Sequence, residues 1–141
     1  MIELKGVVKD YAWGGYCYIP MLLDSVPEGK PSAEYWLGEH PCGTATLSNG
    51  KKLSEFIDYD PKSVLGEEVC KKYANRLPYL LKVLDVREPL SIQVHPTLEQ
   101  ARAGYDREER DNVPANLRNY KDNNHKPELM LALSDFYLLH G

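Results

Sequence analysis

SIQVHPT, residues 91–97, sets three polar side chains on alternate positions of an otherwise apolar segment. In a β-strand, successive side chains point to opposite faces of the sheet. Ser91, Gln93 and His95 therefore share one face, and Leu90, Ile92 and Val94 share the other. The apolar face suits packing, while the polar face presents a hydroxyl, an amide and an imidazole. Pro96 ends the run, since proline cannot donate to a ladder. The pattern predicts a strand with one buried and one open face, and the segments around it extend that prediction to a sheet.

Just upstream, PYLLKVLDV (78–86) reads as a second strand, with Lys82 on the same face as Leu80, Leu84 and Val86. Downstream, Thr97 followed by Glu99 and Gln100 predicts an N-cap opening a helix that runs to about Arg110. PELMLAL (127–133) and FYLLHG (136–141) read as two closing strands. Toward the other end, AEYWLGE (33–39) alternates as a strand, and Asn49–Gly50 marks a turn at a hairpin tip. IELKGVVKDYAWGG (2–15) is a short strand running into a turn at Gly14 and Gly15, and DSVPEGKPS (24–32) is loop. Leu53, Phe56 and Ile57 have helical spacing, and Val64, Leu65, Val69, Tyr73 and Ala74 follow it less regularly. These predict two short helices broken at Pro61. The architecture expected is mainly β with inserted short helices.

The bulk properties exclude several classes. A length of 141 residues suits one domain, and 43% hydrophobic residues are enough for a core. The net charge of −4 comes from 17 basic and 21 acidic residues with no long single-sign run, which argues against a nucleic-acid face. No apolar run approaches the ~20 residues of a membrane-spanning helix. MIELKGVVKD lacks the apolar centre of a signal peptide, so a cytoplasmic protein is expected. Cys17, Cys42 and Cys70 are odd in number and widely spaced, as reduced thiols would be.

In KPELMLAL, Lys126, Glu128 and Met130 share a strand face opposite Leu129, Leu131 and Leu133. If the polar faces of this segment and of SIQVH converge, Gln93, His95 and Glu128 form a ligand set suited to Zn²⁺. An ion with three protein ligands keeps a position open and remains a good Lewis acid. The alternative is ordinary: His95 and Gln93 hydrogen-bond to neighbours, and Glu128 pairs with Lys126. Spacing alone does not choose between them. Lys82 either snorkels to its strand end or points toward an anion. Trp13 either lines a sugar site or packs in the core with its indole N–H bonded. His40 and His140 read as ordinary polar positions, and His125 as a hydrogen-bonding neighbour of a ligand.

Taken together, DYAWGG (10–15), AEYWLGEHP (33–41), LPYLLKVLDVREPLSIQVHP (77–96) and NYKDNNHKPELMLAL (119–133) resemble the type I mannose-6-phosphate isomerases. These are zinc enzymes with a cupin core, here in the longer form that carries a helical insertion. The resemblance covers the whole chain, and SIQVHP and NHKPE in order are its specific motifs. It implies a cupin-like (jelly-roll) β-sandwich, with residues 1–141 as the N-terminal part of the catalytic domain. It implies one Zn²⁺ per chain held by Gln93, His95 and Glu128, the family's fourth ligand and its active-site arginine lying beyond Gly141. Lys126 resembles the family's active-site lysine, and Trp13, Glu34, Lys82 and Ser91 its substrate-pocket residues.

The implied reaction interconverts mannose 6-phosphate and fructose 6-phosphate through an enediol. It leaves open whether Lys126 is the base or a substrate contact, and whether the flux serves mannose breakdown or GDP-mannose biosynthesis. A sugar phosphate is the expected partner, with no nucleic acid or membrane, and the oligomeric state is open. Ending on the apolar FYLLHG suggests a piece of a longer chain, so the 141 residues alone are expected to be poorly stable, to bind zinc weakly and to be inactive. Two other readings stand beside the enzyme: a non-catalytic cupin that binds metal or sugar phosphate, and a structural β-rich partner module.

Overall fold

The computed structural model describes residues 2–140 and divides after Leu90 into two units. In the first, β1 (Leu4–Lys5) and β2 (Val7–Lys9) lead through the YAWGG turn to α1 (Tyr18–Leu22). Then follow β3 (Glu34–Gly38), β4 (Thr46–Leu47), α2 (Leu53–Tyr59), α3 (Pro61–Leu65), α4 (Glu67–Lys72) and β5 (Leu80–Leu84).

The EYWLG strand lies at the centre of a three-stranded antiparallel sheet, between β2 and β5. Its register sets Trp36 opposite Val7 on one side and Lys82 on the other, and Glu34 opposite Lys9 and Leu84. Central position explains its burial: Ala33, Glu34, Tyr35 and Trp36 are all buried. A second, two-stranded sheet pairs β1 with β4, after which the chain turns at Asn49–Gly50, the expected hairpin tip, so that Thr46 bridges Lys52. Helices α2 and α3 close over it, bringing Ile57 and Leu53 against Ala45, with Leu4, Leu47, Val64 and Leu65 around them. Burying a side chain such as Ile57 is worth about 1.5–3 kcal/mol relative to leaving it in water.

Pro61 starts a helix as well as ending one. Its fixed φ suits the first helical position, and the Asp60 carboxylate accepts from the Ser63 N–H at 3.2 Å. The region therefore forms three helices where the periodicity predicts two, with Gly66 separating α3 from α4.

The YAWGG turn lies against the end of β5. Gly15 N–H donates to Asp85 O at 2.9 Å, and the N–H groups of Arg87 and Glu88 donate to Trp13 O at 3.1 and 3.3 Å. A Cβ on Gly15 would stand 2.3 Å from Asp85 Oδ1, and one on Gly14 would stand 2.5 Å from Ala33 Cα. At Gly14, where the neighbour is backbone, only glycine permits that approach. The Asp85 carboxylate then accepts from the Tyr18 N–H at 3.2 Å, starting α1, a helix that no periodicity announced.

The second unit opens at the end of β6 (Leu90–Ser91), and Ile92 N–H donates to Leu139 O, 3.0 Å away, in β7 (Leu138–Leu139). Its main element is α5 (Leu98–Arg110), placed as the sequence predicts. The Thr97 hydroxyl accepts from Gln100 N–H at 3.2 Å and the Gln100 side chain accepts from Thr97 N–H at 2.9 Å, a reciprocal cap.

Of two predicted strands, the one over residues 89–95 forms only at Leu90–Ser91, and PELMLAL does not form. Residues 92–95 and 127–133 are extended or irregular without a ladder, and Leu129, Leu131 and Leu133 are 99%, 81% and 81% exposed. A strand needs a partner to take its N–H and C=O groups, and no described segment pairs with either run beyond the Ile92–Leu139 bond. Among the described residues, no helix is long and apolar enough to cross a membrane.

Candidate functional site

In the second unit, the chain leaves His95 through Pro96 directly into the capped start of α5, runs along the helix, and returns through residues 111–127 to Glu128. The return closes on itself: His95 Nε2 lies 3.1 Å from Glu128 Oε2, although 33 positions separate them in sequence. Two donor atoms bound to one tetrahedral zinc at the usual bond lengths stand roughly 3.3 Å apart. As it stands the pair is within direct hydrogen-bonding distance, a separation close to that of two ligands on one ion, and its nitrogen and carboxylate-oxygen chemistry suits zinc. The His95 side chain is 26% exposed and that of Glu128 50%, so the position between them is reachable from solvent.

The remaining members of the predicted set are placed less closely. Gln93, two residues before His95, is exposed and makes no hydrogen bond among the described residues. Among those residues no group of three or more His, Cys, Asp and Glu converges as a metal site. Lys126 Nζ lies 3.9 Å from Glu128 Oε1, the same-face pairing foreseen as the ordinary alternative, and its side chain is 65% exposed. Ser91 is exposed at the end of β6, and His125 is exposed, its backbone N–H donating to Asn124 Oδ1.

In the first unit, Glu34 and Lys82 meet. Lys82 Nζ is 3.6 Å from Glu34 Oε2 and lies over the Trp36 ring, 5.1 Å from its centroid. Trp36 Nε1–H donates to the same carboxylate oxygen. Lys9 approaches the indole from the β2 side, 4.6 Å from its centroid, and donates to Cys42 O at 2.7 Å. A buried carboxylate thus sits between an ammonium and an indole N–H, which offset the cost of its desolvation. The Lys82 charge faces Glu34. Trp36 and Lys9 were not singled out from sequence, though Trp36 shares the strand face of Glu34 two residues earlier and was open to that reading. Trp13 is half-buried and stacks on Tyr11 with ring centroids 5.7 Å apart, so it belongs to an aromatic pair more than to the core.

The full span, residues 1–141, matches the family described as phosphomannose isomerase type I, catalytic domain. The chain belongs to that family. Mannose-6-phosphate isomerase of Escherichia coli (strain K12) is 38% identical over 148 residues, and that of Schizosaccharomyces pombe 39% identical over 150. Both alignments take in 100% of this chain, but 38% and 34% of those proteins, so the chain spans well under half of their length and corresponds to the N-terminal part. Among solved structures, a Salmonella typhimurium mannose 6-phosphate isomerase bound to substrate (fructose 6-phosphate) and zinc superposes with a TM-score of 0.78 at 37% identity, over 89% of this chain and 33% of that one. The apo form from the same organism gives 0.78 at 36%. The cupin-type fold expected from the type I phosphomannose isomerase resemblance, sheet-based with inserted short helices, is that of these structures.

Proposed function

We propose that the protein is a zinc-dependent isomerase that interconverts mannose 6-phosphate and fructose 6-phosphate in the cytoplasm. The observation that carries the reading is the approach of His95 Nε2 to Glu128 Oε2 at 3.1 Å, joining the two specific motifs of the family. The Salmonella neighbour described with zinc and fructose 6-phosphate supports the same ion and substrate here.

Gln93, His95 and Glu128 are the proposed ligands. Zinc supplies, when bound, a Lewis acid that stabilises negative charge developing on substrate oxygens. The rest is proton movement. Loss of the C2 proton of the aldose sends its electron pair into a C1–C2 double bond as O1 gains a proton, giving the enediol. Return of a proton to C1 and loss of one from O2 gives the ketose. Lys126, beside the Glu128 carboxylate, is the group proposed to hold or pass that proton. Trp13, Glu34, Lys82 and Ser91 are proposed contacts of the sugar phosphate, and the whole described chain is read as part of one catalytic domain.

The test is an assay of mannose 6-phosphate conversion by the protein expressed from the gene's whole reading frame, before and after a chelator. Activity abolished by the chelator, restored by zinc and lost in His95→Ala is the expected result. A folded, zinc-loaded protein that binds sugar phosphate without turning it over would overturn the enzyme and leave a binding cupin.

A further inference from the structure

Glu108 is a charged side chain buried to 6% exposure on α5, outside the residues discussed so far. Burial of a carboxylate is costly unless its oxygens are fully hydrogen-bonded, and here both are. Oε1 accepts from the Asn119 backbone N–H at 3.2 Å and from Asn119 Nδ2 at 3.3 Å; Oε2 accepts from the Tyr120 N–H at 3.0 Å. One turn earlier on the helix, Gly104 leaves room for the Tyr120 ring: a Cβ there would stand 2.5 Å from Tyr120 Cε2. Arg107 lies over the same ring, 6.0 Å from its centroid. Residues 119–120 are thus bonded to the middle of α5, although the stretch from 121 to 137 has no helix or strand of its own.

That joint and the His95–Glu128 contact are the two ends of one short span. Residues 121–127, all exposed, connect them. His95 itself precedes the capped first turn of α5. The helix therefore fixes both sides of the pair: its N-terminus fixes His95, and Glu108 fixes where the segment bearing Glu128 sets out. Arg118 also reaches α5 by its side chain, through Glu109 and the Tyr105 ring, but Glu108 is the group that takes the backbone N–H groups of the segment leading to Glu128.

We propose that Glu108 is a positioning residue for the metal site, holding through Asn119 and Tyr120 the segment that delivers Glu128 to His95. The role rests on the zinc reading above. Outer groups that orient metal ligands are worth about 10–100-fold in affinity when lost. Glu108→Gln keeps the shape but turns one acceptor into an NH₂ facing an N–H donor, so one side of the joint opens. Gly104→Ala opens it from the other side by displacing the Tyr120 ring, and alanine favours the helix, so it serves if the glutamine variant fails to fold.

The experiment titrates zinc into the purified protein expressed from the gene's whole reading frame against a chromophoric chelator and records the visible spectrum of the cobalt-substituted form, for the parent, both variants and His95→Ala. The expected result is affinity about tenfold lower in Glu108→Gln and Gly104→Ala with altered cobalt bands, and binding lost in His95→Ala. A merely structural role would lower the unfolding midpoint and leave the cobalt bands of the folded protein unchanged. Affinities within twofold of the parent in both joint variants, with His95→Ala still impaired, overturn the positioning role alone. Unimpaired binding in His95→Ala overturns the zinc site, and the positioning role with it.

Discussion

Lys82 shows what a single residue contributes to this fold. Its side chain is 22% exposed and that of Glu34 11%, so each offsets part of the other's buried charge, beside the Trp36 indole N–H. Removing one partner of such a pair costs more than the pair contributes, because the survivor stays buried and charged. Lys82→Ala is expected to lose about 3 kcal/mol of stability by urea denaturation. Adding Glu34→Gln should recover part of it, since the two effects are coupled. A double variant as unstable as the sum of the singles would show that the two charges do not interact. The sequence made Lys82 conspicuous as a lysine in an apolar strand, but its partner was not legible. That pairing depends on the register of β3 against β5, which follows from both strands at once. The same holds for Trp36, whose place between two lysines comes from neighbours on either side of the sheet.

At the scale of elements, the local signals were the dependable ones. The helix after Thr97 was legible to about Arg110, because its cap at Thr97 and the Glu99 and Gln100 of its first turn lie next to each other in sequence. Thr97→Ala is expected to cost about 1 kcal/mol, seen as a lower unfolding midpoint. The strands at 92–95 and 127–133 were misread for the opposite reason: alternation permits a strand, but only a partner makes one. Helix α5 also carries a pH dependence. The Tyr120 N–H first, then the backbone and amide groups of Asn119, hold the Glu108 carboxyl below its ordinary value of 4.5. The depressed value means the unfolded chain takes up this proton first as pH falls. Stability from this group is whole above that ordinary value and drains away on further acidification through the folded value. In Glu108→Gln the dependence over that range should be shallower, as followed by circular dichroism across acid titrations; an unchanged slope would show that Glu108 is not its source.

For the whole molecule, protection against hydrogen exchange should be uneven. Amides of β3, β5 and the middle of α5 are expected to exchange slowest, and those of residues 121–135 close to the rate of an unstructured peptide, since they are exposed and mostly without backbone bonds. Slow exchange across 127–133 would mean that a ladder forms there after all. The candidate site was legible as motifs, SIQVHP and NHKPE, and the fold brings His95 to Glu128 as those motifs suggest. Gln93 stands apart from that closure, exposed, and Lys126 reaches it only through Glu128. The Glu108 joint also decides where this chain tolerates changes of length. Extra residues inserted among 111–117 would disturb only the local bonds around Val113 and Pro114, because the chain is caught again at Asn119 and Tyr120. One extra residue between Gln100 and Ala101 would instead turn the rest of α5 by about 100°, carry Glu108 off its donors, and leave the two motifs intact in sequence but out of reach of each other.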